Sequence, residues 1–300
     1  MKIGFMTACM PEIKLEELVP WASENGFDRL EVACWPDEPA DRAFGGVHHI
    51  KMEDFDSTRA EAIRALFQKH ALEISALAYY PNNLDPDLGN RKKYHNHLRK
   101  VIDAASMLGV DLVGTFIGGD KYKSIQQNLA EFEKVFPEIV DYAERRKVKL
   151  MIENCPMFDF WATGYNVAFS PVVWKKMFEI IPSQNFGLNY DPSHFIFLGI
   201  DYLRPLKEFA DRIFHVHAKD AEVFEDVLKQ AGIHGEGWWR YRMSGSGEVN
   251  WKKFVDMLYE IGFNGTISIE HEDPTWWGTE EKVKTGLVMG QKYLRGLLLD

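Results

Sequence analysis

Lys149-Leu150-Met151-Ile152-Glu153 is a short apolar run that ends in a carboxylate, and the chain repeats this pattern. Phe186-Gly187-Leu188-Asn189-Tyr190 leads to Asp191, Ile213-Phe214-His215-Val216 to His217, and Thr266-Ile267-Ser268-Ile269 to Glu270. Runs of this length and composition predict strands. Side chains alternate along a strand, so Ile267 and Ile269 face one way and Ser268 and Glu270 the other. The same parity turns Met151 and Glu153, Asn189 and Asp191, and His215 and His217 to one inner face. It also places Glu31 inside on the second strand and Thr115 inside on the fourth. A single Glu or His at a strand end is ordinarily solvated or hydrogen-bonded in the core. Four on consecutive strands imply that the strand ends converge.

Working outward, strand and helix patterns alternate from end to end. Strands are predicted at Ile3–Thr7, Arg29–Cys34, Glu73–Tyr80 and Leu112–Ile117, before the four already quoted. Helices are predicted at Leu15–Asn25 before Gly26, from Ser57 as cap to His70, and at Arg91–Leu108 before Gly109. Further helices are Ser124–Arg146, one opened by Ser170-Pro171, Tyr202–Asp211, Trp251–Ile261 and Thr279–Leu298. Regular alternation predicts a parallel sheet, and eight strand-helix units favour a closed (β/α)8 TIM barrel. The expected organisation is one domain over residues 1–300, with long loops at 35–56 and 221–249. Barrel active sites lie at the C-terminal ends of the strands, where the four polar side chains fall.

Three buried carboxylates raise one another's pKa, and a divalent cation removes the conflict. Glu153, Asp191, His217 and Glu270 make a hard, mostly oxygen donor set. It is expected to hold one divalent ion, Mn2+ first, with Mg2+, Co2+ or Zn2+ also suited.

The 300 residues are 46% hydrophobic and 27% charged, as expected of a soluble globular chain. A formal net charge of -10 and a pI near 5.5 make nucleic acid a poor partner. Cys9, Cys34 and Cys155 show no paired spacing, which argues against a disulfide framework. No apolar run approaches membrane-spanning length and no signal-peptide core follows Met1, so a cytoplasmic location without membrane contact is expected. A homo-oligomer is compatible with the sequence. No P-loop or dinucleotide fingerprint is present.

At Ile152-Glu153-Asn154, Asp191-Pro192-Ser193-His194, His215 to Asp220, Gly245 to Trp251 and Ile269 to Asp273, the chain resembles the xylose-isomerase-like sugar isomerase and epimerase superfamily. The resemblance covers nearly the whole chain. It implies a metal-dependent sugar isomerase or epimerase taking a small carbohydrate, with Glu153, Asp191, His217 and Glu270 as metal ligands. Glu153 and Glu270 would also exchange protons with substrate, and His194 would contact a substrate oxygen. Dehydratases, lyases and apurinic endonucleases share the superfamily. Position 155 is Cys where xylose-type isomerases carry Lys, which disfavours a two-metal hydride shift. Val223 stands where ketose 3-epimerases carry Arg.

The implied chemistry is proton abstraction alpha to a carbonyl, through an enediolate. Epimerisation, isomerisation and elimination share that first step. Trp35, Tyr79 or Tyr80, Phe116, Trp161, Trp238, Trp239, Trp276 and Trp277 are candidates for a sugar platform. His215, Lys219 and Arg242 are candidate substrate contacts. Lys219 and Asp220 also read as an ion pair, the favoured reading. His48 and His49 are within reach from the second loop.

Overall fold

The computed structural model describes residues 1–38, 45–157 and 165–299. The barrel strands are β1 (Lys2–Met6), β2 (Arg29–Ala33), β3 (Glu73–Ala78), β4 (Leu112–Thr115), β5 (Lys149–Glu153), β6 (Phe186–Tyr190) and β7 (Ile213–Ala218). A separate antiparallel pair follows, β8 (Asp220–Val223) and β9 (Trp239–Arg242), before the last barrel strand, β10 (Thr266–Ile269). The eight barrel strands close in the order β1-β10-β7-β6-β5-β4-β3-β2, all parallel. The helices are α1 (Leu15–Glu24), α2 (Ser57–Lys69), α3 (Leu88–Leu108), α4 (Ile125–Glu144), α5 (Pro171–Ile180), α6 (Ser193–Leu198), α7 (Arg204–Glu208), α8 (Glu225–Ala231), α9 (Trp251–Glu260) and α10 (Glu280–Arg295). The architecture is a (β/α)8 TIM barrel. No helix among the described residues is long and apolar enough to cross a membrane.

Local chemistry sets the helix ends. Ser124 and Gln127 form a reciprocal capping box at the start of α4. Phe132, Phe136, Ile139, Val140 and Ala143 then recur at helical spacing and are buried. The rings of Phe132 and Phe136 lie 5.9 and 6.3 Å from Phe186 on β6, which seats α4 against the barrel. Gly109 ends α3 with φ 74°, a left-handed conformation that glycine adopts without strain. The cap of α2 is Asp56 rather than Ser57, because the Asp56 carboxylate accepts from Arg59 N. The helix expected over 202–211 is shorter: α6 and α7 flank a turn in which Asp201 accepts from Leu203 N and Arg204 N.

One parity expectation is corrected. Gly114, not Thr115, faces the interior of β4. Gly114 pairs with inward-facing Met151, and Thr115 pairs with Ile152. A Cβ on Gly114 would stand 2.2 Å from the Tyr80 hydroxyl. Thr115 instead accepts from Asn83 Nδ2 at 2.9 Å. The strand also stops two residues earlier than expected.

Barrel interiors are usually packed with branched apolar side chains. Here Glu31, Asn189, His215, His217 and Ser268 are fully buried inside, with Ser75 nearly so. Such a core is stable only when its polar groups are paired. Glu31 accepts from Tyr80 Oη (2.7 Å), His217 Nε2 (2.8 Å) and Ser268 Oγ (3.1 Å). His215 lies between Asn189 Oδ1 (3.0 Å) and Ser75 Oγ (3.2 Å). The network forms a floor beneath the C-terminal strand ends.

Candidate metal centre and substrate cavity

Glu153 closes β5, Asp191 follows β6, His217 lies near the end of β7, and Glu270 follows β10. One ligand-type atom from each lies within 4.8 Å of all the others, and all four residues are buried. His217 Nδ1 is 3.4 Å from Glu153 Oε1 and 3.2 Å from Glu270 Oε2. Asp191 Oδ2 and His217 Nδ1 are buried without a hydrogen-bond partner. Asp191 Oδ2 has only the ion-pair approaches of His194 Nε2 at 3.2 Å and Lys219 Nζ at 3.3 Å, and His217 Nδ1 only the two carboxylates, so both atoms have capacity for a ligand. The donor set therefore suits a divalent cation. Glu31, His215 and His217 also lie close together, as do Glu153, Cys155 and His194. In the first of these groups Glu31 and His215 are already committed to hydrogen bonds. The second shares Glu153 with the quartet.

Charge favours the same conclusion. Among the described residues, Glu31, Glu153, Asp191, Glu270 and Glu272 face one lysine, Lys219, and the imidazoles His194 and His217. Negative charge is in excess even with both imidazoles protonated. Burial disfavours the imidazolium of His217, yet Glu31 and Glu270 hold its pKa well above the ordinary value. Burial likewise opposes charge on Lys219, and Glu270, Glu272 and Asp191 hold it well above. Burial raises the pKa of Glu31, but His217 outweighs it and lowers it to about 2. Glu153 is held low against burial by His194 and His217.

Lys219 Nζ lies 2.6 Å from Glu270 Oε2, 2.7 Å from Glu272 Oε2 and 3.3 Å from Asp191 Oδ2. The expected Lys219–Asp220 ion pair is not formed, because neighbouring residues of an extended segment point to opposite sides. Asp220 instead accepts from Ala221 N (2.9 Å), Gly245 N (3.0 Å), Val249 N (2.9 Å) and Trp251 Nε1 (3.0 Å). The stretch 221–249 is therefore tied down at its root. His194, in the first turn of α6, has Nε2 3.2 Å from both Glu153 Oε1 and Asp191 Oδ2. Its Nδ1 is 3.1 Å from Tyr241 Oη on β9.

A cavity of about 250 Å3 opens over the quartet. Glu153, Lys219, Glu270 and Glu272 line its polar end. Met6, Trp35, Tyr80, Phe116, Met157, Trp239 and Tyr241 form its apolar walls. Of the expected platform, Trp35, Tyr80, Phe116 and Trp239 reach the cavity. Tyr79 turns to His97, with ring centroids 4.6 Å apart, and Trp238 packs in a small cluster with Phe197 and Ala221. Trp276 and Trp277 are not on the wall, and Trp161 lies outside the described residues. His194 touches the polar end from behind. His215 lies one layer below, where burial pushes its pKa down to about 4. Arg242 is drawn aside to Glu222 Oε2 (3.1 Å) and Asp273 Oδ2 (3.3 Å). A larger groove of about 900 Å3 lies at the opposite barrel mouth, lined by Arg29, Glu73, Lys149 and Thr266 among others. It is remote from the carboxylate cluster, at the end where barrels build stability.

Three contributors were not singled out in the sequence. Tyr241 and Glu272 needed the folded hairpin and the β10 exit to reach the cavity. Glu31 carried an inward parity but no visible partner. Cys155 lies on the cavity wall.

His48 and His49 do not reach the cavity. His48 Nδ1 donates to Gly46 O at 2.8 Å, and its Nε2 lies 3.7 Å from Asp37. His49 Nε2 donates to Met10 O at 3.1 Å, so its Nδ1 accepts from the Thr7 hydroxyl at 3.0 Å. Burial lowers the His49 pKa from 6.5 to about 4. Between those values the unfolded chain binds a proton that the folded chain refuses, so stability falls as pH falls through that window. His49→Gln is expected to remove about 2 kcal/mol of the stability lost between pH 7 and pH 4.5, a figure discounted for partial exposure. Urea unfolding at the two pH values measures it. An acid-side loss identical to wild type would exclude His49 as a source.

The structure is a closed parallel barrel with a buried carboxylate-imidazole cluster at the C-terminal strand ends that could hold a metal ion. Residues 19–293 match the xylose isomerase-like TIM barrel family, and the chain belongs to that family. It is 24% identical over 303 residues to the uncharacterized protein YfiH of Bacillus subtilis, covering 92% of this chain and 94% of that one. It is 24% identical over 217 residues to an inosose isomerase of Bacillus licheniformis, covering 71% and 72%. Among solved structures, it superposes on a D-tagatose 3-epimerase-like protein with a TM-score of 0.72 at 20% identity, covering 99% and 97%. An IOLI protein with a bound zinc atom gives a TM-score of 0.71 at 19% identity, covering 99% and 96%. These structures share the fold. With its family and acid cluster, the chain is an enzyme.

Proposed function

We propose that the protein is a divalent-metal-dependent isomerase or epimerase of a small carbonyl-bearing carbohydrate, and that Glu153 and Glu270 move the proton alpha to the carbonyl. The observation that carries this reading is the flanking of one cation-type centre by Glu153 from β5 and Glu270 from β10. Glu153, Asp191, His217 and Glu270 would hold the ion, with Mn2+ the expected occupant. When bound, it supplies Lewis acidity to a carbonyl and an adjacent hydroxyl oxygen.

The chain's own groups then divide the work. Glu153 and Glu270 reach the substrate from different strands, so one can remove a proton from carbon while the other returns one. Return to the opposite face inverts a centre, and return to the neighbouring carbon moves the carbonyl. Lys219 neutralises Glu270 and Glu272 at the polar end of the cavity. His194, the proposed contact to a substrate oxygen, is held by Tyr241 Oη at Nδ1 and by Glu153 and Asp191 at Nε2. The aromatic walls cover the C–H faces of a ring and exclude water.

Elimination of a β-hydroxyl shares the first step. It has its own support in Lys219, whose ammonium at the polar end can hydrogen-bond a departing hydroxyl. Relatives include both an inosose isomerase and inosose dehydratases, such as one from Clostridium tetani that is 29% identical over 106 residues. The endonuclease alternative calls for basic loops and a three-ion cluster. Among the described residues, the cavity wall instead carries carboxylates, aromatics and one lysine already paired to acids.

The test is exchange. Mn2+-loaded protein is incubated in D2O with ketohexoses, inososes and 3-keto-glycosides, and followed by NMR. Deuterium on carbon with a new epimer or isomer is the expected result. Deuterium uptake with loss of water assigns elimination. A fully loaded protein that exchanges no proton in any of these compounds would sink the proposed chemistry.

A further inference from the structure

We propose that Glu31 is a positioning residue for the metal centre, fixing the His217 imidazole so that Nδ1 presents its lone pair to the quartet. It rests on the metal reading above, and goes beyond it in assigning a residue that touches neither substrate nor ion.

The geometry leaves His217 one orientation. Its Nε2 lies 2.8 Å from Glu31 Oε2, a distance at which a carboxylate requires a proton on that nitrogen. The Asn189 amide nitrogen, a donor with two hydrogens, also lies 2.8 Å from Nε2 and gives one hydrogen to Tyr80 Oη at 2.9 Å; Glu31, an anion that can only accept, outweighs this neutral amide and sets the proton on Nε2. With Nε2 as donor, the neutral ring has its lone pair on Nδ1. That atom is buried, lacks a hydrogen bond, and lies between Glu153 and Glu270.

Glu31 is itself held from two further sides. Tyr80 donates to Oε1 at 2.7 Å and Ser268 donates to Oε2 at 3.1 Å. Tyr80 lines the cavity, so a continuous path runs from the cavity wall through Glu31 to His217. A carboxylate behind a metal-binding imidazole fixes its tautomer and raises its basicity.

The experiment titrates the metal-free full-length protein with Mn2+ and with Co2+, measuring Kd by calorimetry and the Co2+ visible spectrum. In Glu31→Gln, Kd is expected to rise about 10- to 100-fold, with a shifted Co2+ spectrum. Glu31→Asp keeps the charge but withdraws it from His217, and should weaken binding less than Glu31→Gln. It also serves if the glutamine variant does not fold. Ser268→Ala removes one of the three donors to Glu31 and leaves the Glu31–His217 hydrogen bond in place, and should change Kd less than about threefold by comparison with that 10- to 100-fold loss. A merely structural Glu31 would lower the melting temperature while leaving Kd and spectrum unchanged, and that result overturns the proposal. A wild-type protein that binds neither ion overturns the metal reading and this inference with it.

Discussion

Glu270→Gln, saturated with Mn2+, is expected to turn over its substrate about 10²- to 10⁴-fold more slowly than wild type. Glutamine keeps a carbonyl oxygen for the ion but has no basic atom to take a proton from carbon. Glu153→Gln is expected to fall in the same range. The two variants should differ in what survives. If the reaction inverts a centre, proton transfer at each face of the substrate depends on one glutamate. One variant should then still exchange deuterium into one epimer, without converting it, while the other variant does so from the opposite side. Metal content measured on the same samples separates this effect from loss of the ion. Turnover within a few-fold of wild type in both loaded variants would remove the two carboxylates from the proton transfer.

The second large effect is expected from a glycine remote from any reacting atom. In Gly114→Ala, the new methyl would meet the Tyr80 hydroxyl at 2.2 Å and the ring carbon behind it at 2.7 Å. Tyr80 is confined on two sides, with Trp35 and Phe116 flanking its ring at 6.1 and 5.0 Å, and a retreat toward the cavity would break its hydroxyl bond to Glu31. Overpacking a filled core costs about 1–3 kcal/mol, and breaking a buried hydrogen bond to a carboxylate adds about 1.5–3 kcal/mol. A loss of about 3–5 kcal/mol follows, a large fraction of ordinary domain stability. Urea unfolding of the metal-free protein measures it. A variant within about 0.5 kcal/mol of wild type, the range of an inert surface change, would show that Tyr80 is free to move.

The barrel was legible because its signal is local and repeated. Short apolar runs, each followed by a helical pattern, recur through the chain, and parity alone turned Glu31, His215, His217 and Ser268 to the interior. The four strand-end groups were legible for the same reason, and the structure brings them together. Parity failed on β4, where Leu112-Val113-Gly114-Thr115 carries no charge to anchor the count and glycine hides an inward position. It failed in another way at Lys219-Asp220. Opposite charges side by side in sequence suggest a pair, but the extended backbone sends one to the acid cluster and the other to four N–H donors. Tyr241 was out of reach because its role depends on the pairing of β8 with β9, which sets Tyr241 opposite Ala221. That register is a tertiary fact, and no periodicity in 221–249 announces it.

Asp220 bears on how this barrel can be altered. The chain leaves the barrel at Asp220, and its return at Val249 donates to the same carboxylate at 2.9 Å. The excursion therefore begins and ends at nearly one point in space, and the barrel closes without it. Such a segment is an exchangeable cassette, since the closure entropy of a surface loop varies only slowly with length. Replacing residues between those two ends would swap the Trp239 and Tyr241 wall for another while leaving the strand-end carboxylates in place. One part of the cavity wall is thus carried on a segment that meets the barrel at Asp220 and touches the acid cluster through the Tyr241–His194 contact.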